Sequence, residues 1–505
     1  MPEYDKLHQL IHSLSKAEKK NFSALFSESD GKYKKYMDIF KAIESQKTFD
    51  GISLSKKLIS RGLSIDYLSA DKNYLYEQIQ RSLLFFNYKR NEKIEVREQI
   101  EMIELFFEKG LFGLCLSHIS RIKKMIVEYE LFSYYFELAQ IEKRIRSIQG
   151  NTRELAKIQE DELIYKEKLQ RIREYDSIYG EIVGIKQQQN IVRSAQVHQR
   201  LQTIMSNIIL KDIEYATTYT AKIRYYDIHT LYYFLIRDRY REYECTVSKI
   251  NIMQYGYPIF IRLNPYEYIT AHSRLLYLGY IYDQKGFDTI VKTFLSFPET
   301  IAGPSRYIEA FVWAFYYNFK CEMYIRNLEF DTARSELKMM KERLDGLLLE
   351  VSPALRMTNY YRMAYIYFAL DDHENALESI NVVLNEQNKN VLSDVTSMGR
   401  IFNLIIHLEL DNKKVLSNLI GTTYQQLRKA NSLNSVEMTL IDLLKKLLIA
   451  NTPKEKRSAY INTQSKLESM PEEVKISKVL SYFDFNAWMR SKINKTTFLS
   501  ELKQK

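Results

Sequence analysis

The chain has little glycine, proline, cysteine or tryptophan: 15, 8, 3 and 2 residues among 505. Glycine and proline fall well below the roughly 7% and 5% of average proteins, so helix breakers are scarce and long helices are expected. Too few glycines also means no phosphate cradle: neither a GxxxxGK[ST] loop nor a dinucleotide fingerprint occurs, and no HExxH pair offers a zinc site. His8 and His12 lie one helical turn apart but have no third ligand nearby, so they read as a surface pair. No cofactor and no catalytic residue is expected, and the chain does not read as an enzyme. Cys115, Cys245 and Cys321 are odd in number and far apart, which fits buried thiols in a reducing compartment better than a disulfide framework. No apolar run approaches the roughly 18 residues of a membrane span: the run IFNLII is bracketed by Arg400 and His407. Glu3 and Asp5 in an amphipathic start argue against a secretory signal, so a cytoplasmic location is expected.

What the chain does contain is tyrosine, 39 residues beside 25 phenylalanines. A tyrosine ring packs inside a helix pair while its hydroxyl reaches water, which suits thin layers. At 505 residues the chain exceeds the roughly 250 to 300 at which one globular core stops growing, so several domains or a linear array of helix pairs is required.

The stretch Met357–Asn385, MTNYYRMAYIYFALDDHENALESINVVLN, places Tyr360, Met363, Ala364, Tyr367, Ala376, Ile380 and Val383 at spacings that let two antiparallel helices approach closely. It resembles one repeat of the tetratricopeptide (TPR) family. Weaker copies follow the same pattern at Leu278, Gly279, Tyr282 and Gly286, and at Tyr317, Cys321, Tyr324, Ala333 and Leu337, where Lys320 departs from the family's leucine. Phe106, Gly110, Cys115 and Ile119 take corresponding roles. From Ala333 to Ala376 is 43 residues against the family's 34, so the array is irregular. The opening SLSKAEKKNFSALF, the phrase from Phe106 to Ile119 and the ending YFDFNAWMRSKINKTTFLSELKQK are similar to cytosolic tetratricopeptide-like proteins of Bacteroidetes bacteria. The resemblance implies an all-α, irregular TPR-like α-solenoid, a right-handed superhelix of antiparallel helix pairs.

Three regions are expected: 1–92, an N-terminal helical cap or small domain; 93–450, irregular repeats; and 451–505, capping helices that include Trp488. Ser15 and Glu18 form a capping box, helices are expected at Lys34–Ser45 and Ser53–Ser60, and Thr452-Pro453 reads as a cap with first helical position. From Thr152 to about Gln189 an apolar stripe at helical spacing predicts one long helix, which either packs inside the array or pairs with a second copy.

The family binds partners along the first helix of each pair. On this chain those positions include Tyr361, Tyr365 and Phe368 in the best repeat, Asn318 and Glu322 in the one before, and Tyr280 earlier, an aromatic groove with isolated polar groups that would take a protein or peptide. The Lys, Arg and Asn set of a carboxylate clamp is missing. The expected function is a non-catalytic interaction scaffold. The alternative is a regulator whose N-terminal helices bind nucleic acid while the repeats sense a peptide, which requires a basic exposed face around Lys72, Asn73, Gln78, Gln80 and Arg81. The formal charge of +10 is spread: residues 1–100 carry a net of +4, and 451–505 a net of +5 that includes Lys454–Arg457. Such runs read first as solvated faces.

Overall fold

The computed structural model describes residues 5–27, 34–46, 48–88, 91–188, 195–301, 306–347, 351–386, 393–429, 435–470 and 482–504. Among them the chain is all-α, with helices packed against their neighbours in sequence and no strand. It divides into two compact units, Met1–Ile308 and Glu309–Lys505, a boundary that falls inside the stretch 93–450.

Among the described residues of the first unit, three cores follow one another from Leu7 to Leu235. Helices Lys6–Ser13, Lys16–Ser27, Lys34–Glu44, Gly51–Ser60 and Leu68–Asn87 bury Leu7, Ile11, Phe22, Ile43, Leu54 and Ile79 in the first, which draws only on residues 7–83. Ser15 and Glu18 satisfy each other's backbone donors at 2.8 and 3.2 Å, opening the second of these helices. The next core lies between Glu92–Glu108, Phe112–Glu128 and Ser133–Ile148, around Ile100, Cys115, Ile119 and Tyr135. Helix Thr152–Gln188 is a continuous rod of 37 residues. Its first half puts Ile158 and Tyr165 into that second core, and its second half puts Ile172, Tyr175, Ile182 and Ile185 into a third with Leu201, Ala221 and Leu235. Most of the apolar stripe thus packs against cores of its own unit.

The second unit stacks the pairs Pro353–Ala369 with His373–Leu384, Ser393–Glu409 with Lys413–Lys429, and Ser435–Ile449 with Pro453–Glu468. Ala364 and Ala376, the small residues of the first pair, are fully buried. Thr452 caps the last of these helices in a reciprocal box with Glu455, with Pro453 at the first helical position.

One turn recurs throughout. Among the described residues nine have positive φ: Gly62, Gly110, Gly150, Glu130, Arg237, Leu328, Asp371, Asp411 and Lys495. After each one, the next backbone N–H reaches back five residues, as Leu111 to Phe106, Leu131 to Ile126, Asp372 to Tyr367 and Asn412 to His407, at 2.9 to 3.1 Å. This is the Schellman closure: a left-handed residue turns the chain and the returned N–H satisfies a carbonyl the ending helix leaves open. It reverses the chain within three or four residues, and adjacent antiparallel helices follow.

Candidate functional site

In the second unit, helix Pro353–Ala369 is buried along nearly its whole length. Ser352 caps its start and Pro353 presets its first turn, while Asp371 at φ 59° ends it. Its side chains at one-turn intervals, Tyr361, Tyr365 and Phe368, face a single aromatic cluster. Phe368 meets Phe402, Phe483 and Phe498 with ring centroids 5.3 to 5.4 Å apart, nearly edge to face. Tyr365 approaches Phe330, Phe483 and Phe498. Tyr361 contacts Phe402 and Tyr482 and donates its hydroxyl to the Tyr482 carbonyl at 3.4 Å. Burial drives the Tyr361 hydroxyl well above the usual tyrosine range, with Tyr365 and Tyr482 adding to it.

These three side chains are therefore covered by the chain's own segment from Tyr482 onward. That segment is anchored beyond the rings: the Trp488 indole N–H donates to Glu409 Oε1 at 2.7 Å, and Lys492 pairs with Glu409 Oε2 at 2.6 Å. Arg490 meets the buried Glu501 at 3.1 Å, which also accepts from Thr496 and Asn494. The sequence reading put Trp488 into a cap but missed the pairing of Phe483 and Phe498 with the aromatic positions. Helical spacing relates residues within an element and carries nothing about contacts more than a hundred residues apart.

Beside the rings lies a polar cluster. Arg362 donates to the Asn318 backbone carbonyl at 2.7 Å and to its side-chain oxygen, and pairs with Glu322 at 2.6 Å. Arg326 reaches the same carboxylate at 2.6 Å. Burial pushes the Glu322 carboxyl up, but the two guanidiniums outweigh it and hold the group below the ordinary carboxylate range. Arg362, at a position the motif leaves unrestricted, is the residue that ties Asn318 and Glu322 together. Asn359 also crosses to the neighbouring helix, donating to the Ala314 carbonyl at 3.1 Å.

An open cavity of about 550 Å³ adjoins this region, lined by Arg334, Tyr367, Asp371, Asp372, His373 and Glu374 among others. The His373 ring lies tilted against Phe368 at 5.0 Å between centroids, so the cavity borders the aromatic cluster. Burial lowers the His373 pKa against the pull of Glu409 and Asp371. Tyr280 lies in the other unit, half-buried and edge to face with Phe287 at 5.4 Å. Near it Gly279 marks a close helix approach, since a Cβ there would stand 2.6 Å from the Ile290 methyl.

On helix Leu68–Asn87 the exposed residues are Ser69, Ala70, Asn73, Glu77, Gln80, Arg81, Leu84 and Phe85, with Glu77 offsetting Arg81. Lys72 is turned inward, paired with Asp5 and set over the Phe49 ring at 4.6 Å. His8 and His12 lie tilted against each other at 4.2 Å between centroids and point to the carbonyls of Gln46 and Ile43, at and just past the end of helix Lys34–Glu44. Cys115 and Cys321 are buried and Cys245 half-buried, all as free thiols, and burial drives the Cys321 thiol to about 12. Among the described residues no group of three or more His, Cys, Asp or Glu is placed to hold a metal ion, and no helix is long and apolar enough to cross a membrane.

Comparison with protein-family models, with curated proteins and with solved structures returns no match.

Proposed function

We propose that the chain is a cytoplasmic, non-catalytic scaffold, an irregular TPR-like solenoid whose Tyr361, Tyr365 and Phe368 surface binds an aromatic peptide or protein segment. The observation that carries this reading is the occupant already there. The segment Tyr482-Phe483-Asp484-Phe485 lays three rings against or beside that surface. It is a sample of the chemistry the surface accepts: flat apolar rings of low conformational entropy with a carboxylate between them. A partner of the same pattern competes with it, while Asn318, Glu322 and Arg362 supply the polar rim. A short aromatic motif also suits a groove without the basic set that captures a terminal carboxylate.

The test pans displayed peptides against the full chain and against a Phe483→Leu variant, in which the internal occupant is weakened. Enrichment of aromatic-acidic-aromatic sequences is expected, stronger for the variant, with binding lost on Tyr365→Ala. Enrichment without aromatic content, or binding indifferent to Tyr365, would sink the reading.

A further inference from the structure

In the first unit three cations converge on one aromatic ring. The Phe234 centroid lies 5.3 Å from Lys186 Nζ and 4.9 Å from the guanidinium carbons of both Arg239 and Arg274. Among the described residues one carboxylate forms ion pairs with them. Glu242, almost wholly buried, receives Arg239 on one oxygen and Arg274 on the other, each at 2.7 Å. Lys186 makes no ion pair with a described residue. The nearby Asp227 does not relieve it, because that carboxylate is already taken by Arg224 at 2.9 Å and Lys249 at 2.5 Å.

We propose that Lys186, Arg239 and Arg274 form a binding site for a phosphate group, free or carried on a phosphorylated side chain. Three cations against one carboxylate leave a local excess of two positive charges, which matches a phosphate dianion. Each of the three side chains keeps some exposure: Arg239 44% and Arg274 24%, with Lys186 half-buried. Three different helices hold them. Lys186 comes from the last turn of Thr152–Gln188, Arg239 from the first turn of Arg239–Asn251, and Arg274 from Pro265–Tyr282. The Glu242 bridge fixes the two guanidiniums, so they need little reorganisation to accept an anion. Burial and the neighbouring Arg274 lower the Lys186 pKa to about 8, a shift that a bound anion would oppose.

The experiment titrates full-length protein at constant ionic strength with inorganic phosphate and, separately, with a phosphoserine peptide and its unphosphorylated twin, following heat and melting temperature. Saturable binding of phosphate or of the phosphopeptide alone is expected, and whichever binds more tightly names the source. Lys186→Met removes a charge without orphaning a partner, so it should raise the melting temperature of the unliganded protein while weakening binding about tenfold or more. Lys186→Arg should retain binding, and Arg239→Gln should lose it. No saturable binding of either ligand, or equal affinity in Lys186→Met, would overturn the proposal.

Discussion

His272 is the residue whose burial makes the plainest demand on solution conditions. It is 2% exposed, lies between Tyr268 and Phe294 and has no hydrogen-bond partner on Nδ1, and desolvation lowers its pKa from 6.5 to about 4. The folded state holds the neutral ring while the unfolded chain accepts a proton near pH 6.5. Its contribution is therefore whole above pH 6.5 and is lost as the pH falls toward 4, on the order of 3 kcal/mol across that window. Urea unfolding of wild type and His272→Phe at stepped pH should show wild type losing stability relative to the variant as the pH falls over this range. Parallel curves would reject the assignment. Residues of this kind are poorly legible in sequence. The small positions Ala364 and Ala376 could be read because helix spacing demands them, and the Ser15–Glu18 box because it is local. Arg362 and Phe483 could not, because their partners are set by packing between elements.

At the scale of the element, the nine left-handed turns are the common device, and only three of them use glycine. A residue with a Cβ in that conformation costs roughly 1 kcal/mol or more. Leu328, at φ 58°, is the least suited of the six, since Asp tolerates the region better. Leu328→Gly is expected to stabilise the protein by several tenths of a kcal/mol to about 1 kcal/mol, after the greater freedom of glycine in the unfolded chain is set against the gain. Denaturant midpoints at an unchanged slope would measure it. Conversely, Thr452→Ala removes one half of the reciprocal cap and should cost about 1 kcal/mol. A loss of no more than a tenth or two would mean that Glu455 alone suffices. Helix starts were readable because caps are spelled in side chains. Several of the turns that end helices were not, because four of the nine fall on Glu130, Arg237, Leu328 and Lys495, which carry no turn signature.

For the whole molecule, the separate cores predict separable responses. Deleting residues 471–505 strips Phe483, Phe485, Trp488 and Phe498 from the second unit while leaving the core of residues 7–83 intact. Hydrogen exchange should then accelerate in Pro353–Ala369 and Ser393–Glu409 and stay unchanged in Lys34–Glu44 and Leu68–Asn87. Uniform acceleration would mean that the chain opens as one cooperative body. The all-helical class was legible from glycine and proline scarcity alone. The division at Ile308 was not, since the Gly303-Pro304 break just before it reads like any other turn between helices.

The covering of Tyr361, Tyr365 and Phe368 by residues synthesised more than a hundred positions later also bears on biogenesis. A nascent chain that has emerged through Phe402 still displays the sides of these rings that Tyr482, Phe483 and Phe498 cover, and it keeps displaying them until Phe498 leaves the ribosome. At about 5 to 20 residues per second, the interval is on the order of ten seconds, long enough for a chaperone to engage. Slowing translation between those positions should therefore lower the yield of native protein more than slowing it earlier.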